Sequence, residues 1–417
     1  TGLPGPFVIP YEDPEEGAIG EFSLDIESTE YCGDTASITI TASGYTYDRP
    51  DRVEQIYARY ARPTVAEYAY IINSNVWAGS DRVIVGPYHS NGGIRMDGTN
   101  NSTVTSGQET WNCTSSFGCS PSDSNADGVV GSGPGSDLWS FPSVPINFTG
   151  LTVDLAQMAT RAQDAATGGI YIGPSSDYGY RVEFQNDGTL DVYEVTDVYT
   201  YDGYTSGAGW QSEDHIIASD SFVSSHTITD SCPLIFIEDK VWLGGEVANK
   251  VTLAAADIDT PGEDPTIILQ DNIEYTHSTS GLLAIAEEDV LIGVDVPEDM
   301  ELNGIFVAQN GRFGRNRYTS GNLPQVCDGY NYHWFWGWYC TGWSYPFAGD
   351  VFKDSLTING TIVSNGRVGT QWTSDGTPTS GFLSRYNSYD RNLVIDPPPL
   401  APNTSDDYRF VEWREIE

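Results

Sequence analysis

The sequence predicts a mainly β protein whose body is a β-solenoid (a β-helix), preceded by a strand-rich and helical N-terminal part and decorated with accessory loops. Three observations carry this. Short β-prone runs are punctuated throughout by Gly, Asn, Asp and Pro, with 44 glycines to serve the turns. An imperfect repeat recurs as Gly86-PYHS-Asn91-Gly, Gly245-EVA-Asn249-Lys, Asn303-Gly304-IFVAQ-Asn310-Gly311-Arg and Asn359-Gly360-TIVS-Asn365-Gly366-Arg. The last two close alike, as N-G-R-x-G. Asn and Gly tolerate positive φ, which a chain needs at the corners of a coil of short parallel strands. Finally, helical periodicity is confined to two places. Each rung of such a coil stays open until the next covers it, so several copies are needed before a core exists. The alternative is a β-sandwich joined by Asn-Gly hairpins.

In chain order, residues 1–75 hold strands, with Ile38, Ile40 and Tyr45 in one run, and a short helix that Thr64-Val-Ala-Glu67 caps and that carries Tyr68 and Ile71. Residues 76–150 hold a first rung near Val83–Met96 and an inserted polar loop. Residues 151–231 hold a helix and a hairpin. The helix aligns Leu151, Leu155, Met158, Ala159, Ala162 and Ala166 on one face and ends at Gly168-Gly169. The hairpin pairs 181–185 with 190–193 around Asn186-Asp187-Gly188. Residues 232–381 form the solenoid with an aromatic loop, and 382–417 a terminal strand segment.

Composition limits the partners. Acids number 59 against 19 bases, of which three are lysines, Lys240, Lys250 and Lys353, for a net charge of -40. That field repels nucleic acid phosphates and anionic membranes. The single basic cluster is Arg312, Arg315 and Arg317, suited to pairing with acids of a neighbouring subunit. Six cysteines are compatible with three disulfides: Cys113 lies near Cys119 and Cys327 near Cys340, leaving Cys32 and Cys232. Sequons begin at Asn100, Asn101, Asn112, Asn147, Asn359 and Asn403, and with the cysteines they point to an oxidising exterior. The numbered chain shows no signal peptide and no transmembrane stretch, and is expected to start after processing or truncation.

Two segments invite a functional reading. Asp123-Ser-Asn125-Ala-Asp127-Gly128-Val129 has the D-x-N-x-D-G spacing of a calcium loop, with side-chain oxygens at 123, 125 and 127, the carbonyl of Val129, and either Asp137 or a water to close the ligand set where an EF-hand would have Glu. The expected ion is a structural Ca²⁺; an ordinary polar turn is the alternative. The second segment reads CDGYNYHWFWGWYCTGWSYPF from Cys327. Tyr330, Tyr332, Trp334, Phe335, Trp336, Trp338 and Tyr339, with Trp343 just beyond, cannot all face inward on a loop of twelve residues between two cysteines. Either they form a contact surface for sugar rings or protein, or they cap a flank of the solenoid. Nucleophile-elbow, zincin and P-loop motifs do not occur, and the five histidines lack metal-ligand spacing. Glu287, Glu288, Asp289 and Asp295 are the acids a carbohydrate-active β-helix enzyme (polysaccharide lyase or hydrolase) would use.

The order ITITASGYTYDRPDRVEQIYARYARPTVAEYAYIINS (38–74), GPYHSNGGI (86–94), LLAIAEEDVLIG (282–293) with ELNGIFVAQNGRFG (301–314), LTINGTIVSNGRVG (356–369) and YDRNLVIDPPPLAP (389–402) resembles the PilX-type, type IV pilin-like surface proteins of bacteria. The resemblance implies a pilin-like N-terminal part and a solenoid ectodomain. It further implies a non-enzymatic structural or adhesive component of a pilus-like filament outside the cell, whose partners are other filament subunits or surface glycans. The prepilin cleavage motif and the apolar helix that follows it are not in these residues; a membrane would be reached only through that missing helix. A glycan-binding module or the enzyme above is the alternative.

Overall fold

A computed structural model describes residues 5–151, 154–258, 265–374 and 376–416. The protein is mainly β. Most strands belong to three ladders of parallel neighbours. In the first, Ile170–Ile172, Leu234–Ile237, Lys250–Ala255, Gly281–Ala286 and residues 305–308, 361–364, 70–72, 88–90, 104–106 and 139–140 follow one another. The second runs through 180–184, 241–245, 267–269, 290–292 and 313–314 to Gly369. The third runs through 245–247, 273–275, 299–302, 355–359, 384–388, 82–85 and 99–100. From 241 to 369 the chain visits the ladders in a fixed rotation.

Strand alternation divides the side chains. Ile235, Leu253, Ala284, Phe306 and Ile362 join Leu243, Leu269, Ile292, Leu302 and Ile358 in one buried cluster that extends from Ala69 to Phe382. Their neighbours Leu234, Phe236, Leu283, Ile285, Ile305 and Val363 face the other way, where helix Leu155–Gln163 covers them with Leu155, Met158, Ala159 and Ala162. With both faces covered, this ladder reads as continuous apolar runs such as Leu234–Ile237, as parallel strands do.

The corners are held by side chains acting in register. Asn303 and Gly304 lie directly opposite Asn359 and Gly360. Asn359 Nδ2 donates to Asn303 Oδ1 at 3.1 Å, and Asn303 Nδ2 to the Ile273 carbonyl at 2.8 Å. At the next corner Asn91 Nδ2 donates to Asn73 Oδ1, Asn73 Nδ2 to Asn365 Oδ1, and Asn365 Nδ2 to the Asn310 carbonyl, at 2.8, 2.8 and 2.9 Å.

A separate five-stranded antiparallel sheet is built from Phe7–Asp13, Gly17–Tyr31, Asp34–Thr46, Arg49–Ala61 and the distant Arg409–Ile416. Cys32, in the turn between its second and third strands, is bonded to Cys232, and its N–H donates to the Ser231 carbonyl. This joins the sheet to the start of the ladders. Cys113–Cys119 and Cys327–Cys340 are the other two disulfides. Among the described residues no helix is long and apolar enough to cross a membrane.

Two expected helices need correction. Thr64 caps only the 3₁₀ turn Val65–Glu67, because Ile71 is drawn into strand Tyr70–Ile72 against 362–364. The helix expected over 151–166 is Phe148–Leu151 and Leu155–Gln163, capped by Asp154; residues 152–153 lie outside the described residues, and Ala166 sits beyond the helix in a turn. The hairpin forms with Phe184 opposite Leu190 and continues into long strands to Thr205 and from Gly209 to Thr227.

Gly360 has φ +146°, and a Cβ there would stand 1.8 Å from the Gly304 carbonyl oxygen. Gly360→Ala is therefore expected to cost about 3 kcal/mol or more, from backbone strain plus overpacking. Urea denaturation checks this; a loss under about 1 kcal/mol would contradict the close approach.

Candidate functional site

The aromatic segment is a hairpin, Val326–His333 antiparallel to Gly337–Ser344, whose tip is Trp334-Phe335-Trp336. His333 opposes Gly337, whose φ of +76° closes the three-residue loop. An isolated two-stranded hairpin is marginal in water. Here Cys327–Cys340 ties the strands, and Tyr332 packs edge-to-face on its cross-strand partner Trp338 at 5.4 Å. A disulfide closing a loop of this size contributes about 3 kcal/mol by restricting the unfolded chain.

These aromatics stand in solvent. Trp334 is 81% exposed, Trp336 75% and Trp338 71%; Tyr330, Tyr332, Phe335, Tyr339 and Trp343 are exposed as well. The alternative that the loop caps a flank of the ladders does not describe this geometry. At the tip the rings pack on one another, Trp334 on Phe335 at 5.5 Å, Phe335 on Trp336 at 5.2 Å, and His333 against Trp334 at 6.2 Å. A large apolar surface is thereby preorganised and left exposed among the described residues.

The other expected sites fare differently. Asp123–Asp127 is a strand paired with Thr110–Cys113, so Asp123, Asn125 and Asp127 are exposed along one side of it, with Ala126 buried on the other. Asp123 Oδ1 accepts the Asn125 N–H. Val129 pairs with Ile94, and Asp137 lies in a 3₁₀ turn. Among the described residues no group of three or more His, Cys, Asp or Glu is placed to hold a metal. Of the sequons, Asn101, Asn112, Asn147 and Asn403 are exposed. Asn100 is buried, its Nδ2 donating to the Gly86 carbonyl, and Asn359 is engaged in the corner ladder. Neither amide nitrogen is free to carry a glycan in this fold. Of the acids weighed for catalysis, Asp289 caps the Arg312 N–H and burial raises its pKa, Glu287 accepts the Asp257 N–H, Asp295 lies exposed, and Glu288 is half-buried.

Arg315 corrects the reading of the basic cluster, because it is wholly buried and cannot meet a neighbouring subunit. Its Nη2 donates to the Val294 and Asp350 carbonyls. Beside it lies a buried polar group that the sequence did not single out. Glu213, in the long hairpin, accepts hydrogen bonds from Asn316 Nδ2 and from Tyr318 Oη, the latter at 3.0 Å, with His215 Nδ1 3.5 Å away. Burial pushes Glu213 up to about 7 despite those donors, and pushes His215 down to about 4, helped by the Lys240 charge.

No protein-family model matches the chain, and no curated protein matches it. Among solved structures, it is similar to the competence-associated pilin ComZ from Thermus thermophilus, with 11% identity and a TM-score of 0.36 over 99% of this chain and 86% of that one. Likeness at this level establishes neither fold nor function.

The Glu213–His215 pair sets a pH signature. Folded Glu213 keeps its proton longer than the unfolded chain does, so its contribution fades as pH rises from about 4.5 to about 7. Folded His215 gives its proton up sooner, so its contribution fades as pH falls from 6.5 to about 4. Across the overlap the two slopes cancel. Glu213→Gln should uncover the histidine term, losing about 1–2 kcal/mol more than wild type between pH 6.5 and 5 in urea unfolding. Parallel pH profiles for the two proteins would refute the assignment.

Proposed function

We propose that the chain is an extracellular, non-enzymatic, pilin-like surface component, and that the 326–344 hairpin is its contact surface. The observation that carries this is the stapled hairpin whose aromatic rings are presented to solvent. Large rings held rigid lose little entropy on binding and are the residue types that dominate interface energetics. Indole and phenol faces also stack on the C–H faces of sugar rings, so surface glycans and sister subunits are the partners considered. The location is supported by three disulfides, which persist in oxidising surroundings. The pilin-like reading is supported by the order of the sequence segments it shares with PilX-type proteins.

The body is proposed to be a β-solenoid, three ladders wound as successive turns from residue 232 to 381, with the rungs of 70–106 stacked on its end. The parallel registers and the corner asparagines support this. On the same reading the segments 1–75, 76–150, 151–231, 232–381 and 382–417 are the units of the chain.

The test is a Trp334→Ala, Trp336→Ala double substitution. Both side chains are exposed, so the melting temperature should stay within about 2 °C of wild type. Binding to immobilised glycans or to the chain itself should fall more than about tenfold. Unaltered binding to both would remove the hairpin from the function.

Calcium at Asp123, Asn125 and Asp127, with the Val129 carbonyl and Asp137, is a separate proposal supported by the sequence spacing. It requires the 123–127 strand to curl so that alternate oxygens converge. Millimolar Ca²⁺ should then raise the melting temperature over EDTA by about 1–3 °C in wild type and not in Asp127→Asn. Coincident wild-type curves in the two buffers would dispose of it.

A further inference from the structure

In a chain with 19 basic residues against 59 acids, four arginines line one cavity of about 370 Å³. They come as two stacked pairs. Arg82 and Arg385 are direct register partners on adjacent parallel strands. Arg312 and Arg367 follow the same corner in successive turns, since each is the arginine of an N-G-R-x-G repeat, Gly366 N–H donates to the Gly311 carbonyl, and Gly314 bridges Gly369. Like charges in register repel, and stacking two such pairs around one space costs stability unless an anion occupies it.

Among the described residues, one acid neutralises one of the four. Asp81 engages Arg385 at 2.6 and 2.7 Å. Among the described residues no carboxylate lies within ion-pair distance of Arg82, Arg312 or Arg367. Arg82 is 3% exposed; its Nη1 and Nη2 donate to Tyr70 Oη and Thr370 Oγ1, both at 3.2 Å, and its Nε has no partner. A buried guanidinium with an unused donor at a cavity wall is an unmet demand for an acceptor. Arg367 Nη2 donates to the Ser116 carbonyl at 2.8 Å, while Arg312 holds Asn316.

Two indoles complete the wall and are fixed in place, Trp77 by Nε1 to Asp97 Oδ2 at 2.8 Å and Trp372 by Nε1 to the Arg315 carbonyl at 2.9 Å. Guanidinium forks recognise carboxylate, sulfate or phosphate oxygens, and flat indole faces suit the apolar side of a sugar ring. The cavity is sized for one or two sugar units, and the net charge of -40 disfavours a polyanion.

From this geometry we infer that the cavity bounded by Arg82, Arg312, Arg367 and Arg385 is a binding site for a carboxylated sugar of the uronic acid class, held by the arginines and flanked by Trp77 and Trp372. The site is independent of the aromatic hairpin, none of whose residues lines it. Burial and the neighbouring Arg82 push Arg385 down only to about 10, so Arg385 is a cation at neutral pH.

Calorimetric titration of the purified chain with glucuronate and galacturonate tests this, with glucose, inorganic sulfate and a single-stranded oligonucleotide as comparisons. A uronate should bind at least about tenfold more tightly than glucose and than sulfate, and should weaken as salt is raised. Arg82→Met and the less buried Arg312→Gln should each lose about tenfold or more. In ¹⁵N-arginine spectra of the wild-type protein, the Arg82 Nε–H resonance should shift on titration. No uronate binding by folded wild-type protein overturns the proposal, as does binding equalled by glucose or by sulfate. Oligonucleotide binding that a uronate does not displace would likewise overturn it.

Discussion

Everything in the body of this protein rests on parallel strands stacking in register. A parallel ladder has no tight hairpin to fix its alignment, so alignment must come from the corners. At one corner Gly304 and Gly360 approach so closely that no side chain fits between them; at another, Asn91, Asn73, Asn365 and Asn310 form a chain of amide hydrogen bonds linking four separate segments. Each bond satisfies polar groups that a slipped strand would leave unpaired. The apolar faces then follow, because once the corners are aligned, Ile235, Leu253, Ala284, Phe306 and Ile362 have no freedom to face elsewhere.

That dependence explains what the sequence made legible. Corners demand Asn and Gly, so Asn303-Gly304 and Asn359-Gly360 were visible as a repeat, and they meet opposite one another. The apolar face of the 155–163 helix and the 181–193 hairpin were visible because each is written in local periodicity. Elsewhere one local pattern suited two structures. Alternate side-chain oxygens at Asp123, Asn125 and Asp127 fit a calcium loop and equally a strand with Ala126 turned inward, and the spacing alone does not separate them. Thr64-Val-Ala-Glu67 has the signs of a helix start, yet tertiary pairing of 70–72 with 362–364 won. The arginine cavity was out of reach, because Asp81 and Arg385 are 304 residues apart and only the long-range register brings them together. How exposed the hairpin aromatics are was equally invisible, since burial depends on what a segment packs against.

The charge of the molecule takes a different meaning once its arginines are placed. Arg82, Arg315 and Arg385 are buried in the body, while acids dominate the outside. A partner approaching from solvent therefore meets a negative field. The aromatic hairpin stands out from that field as a stapled ribbon of uncharged rings.

The order of the first ladder carries a consequence for assembly. Strands 70–72, 88–90 and 104–106 stack on one another, and of these 70–72 lies against 362–364. Tyr68 accepts from Thr361 across 293 residues. The seam between these early strands and the rest of the ladder therefore cannot close until the residues near 361 have emerged. Closing that seam joins segments far apart in the sequence, a contact of the non-local kind that lengthens folding and leaves the edge of strand 70–72 unpaired in the meantime.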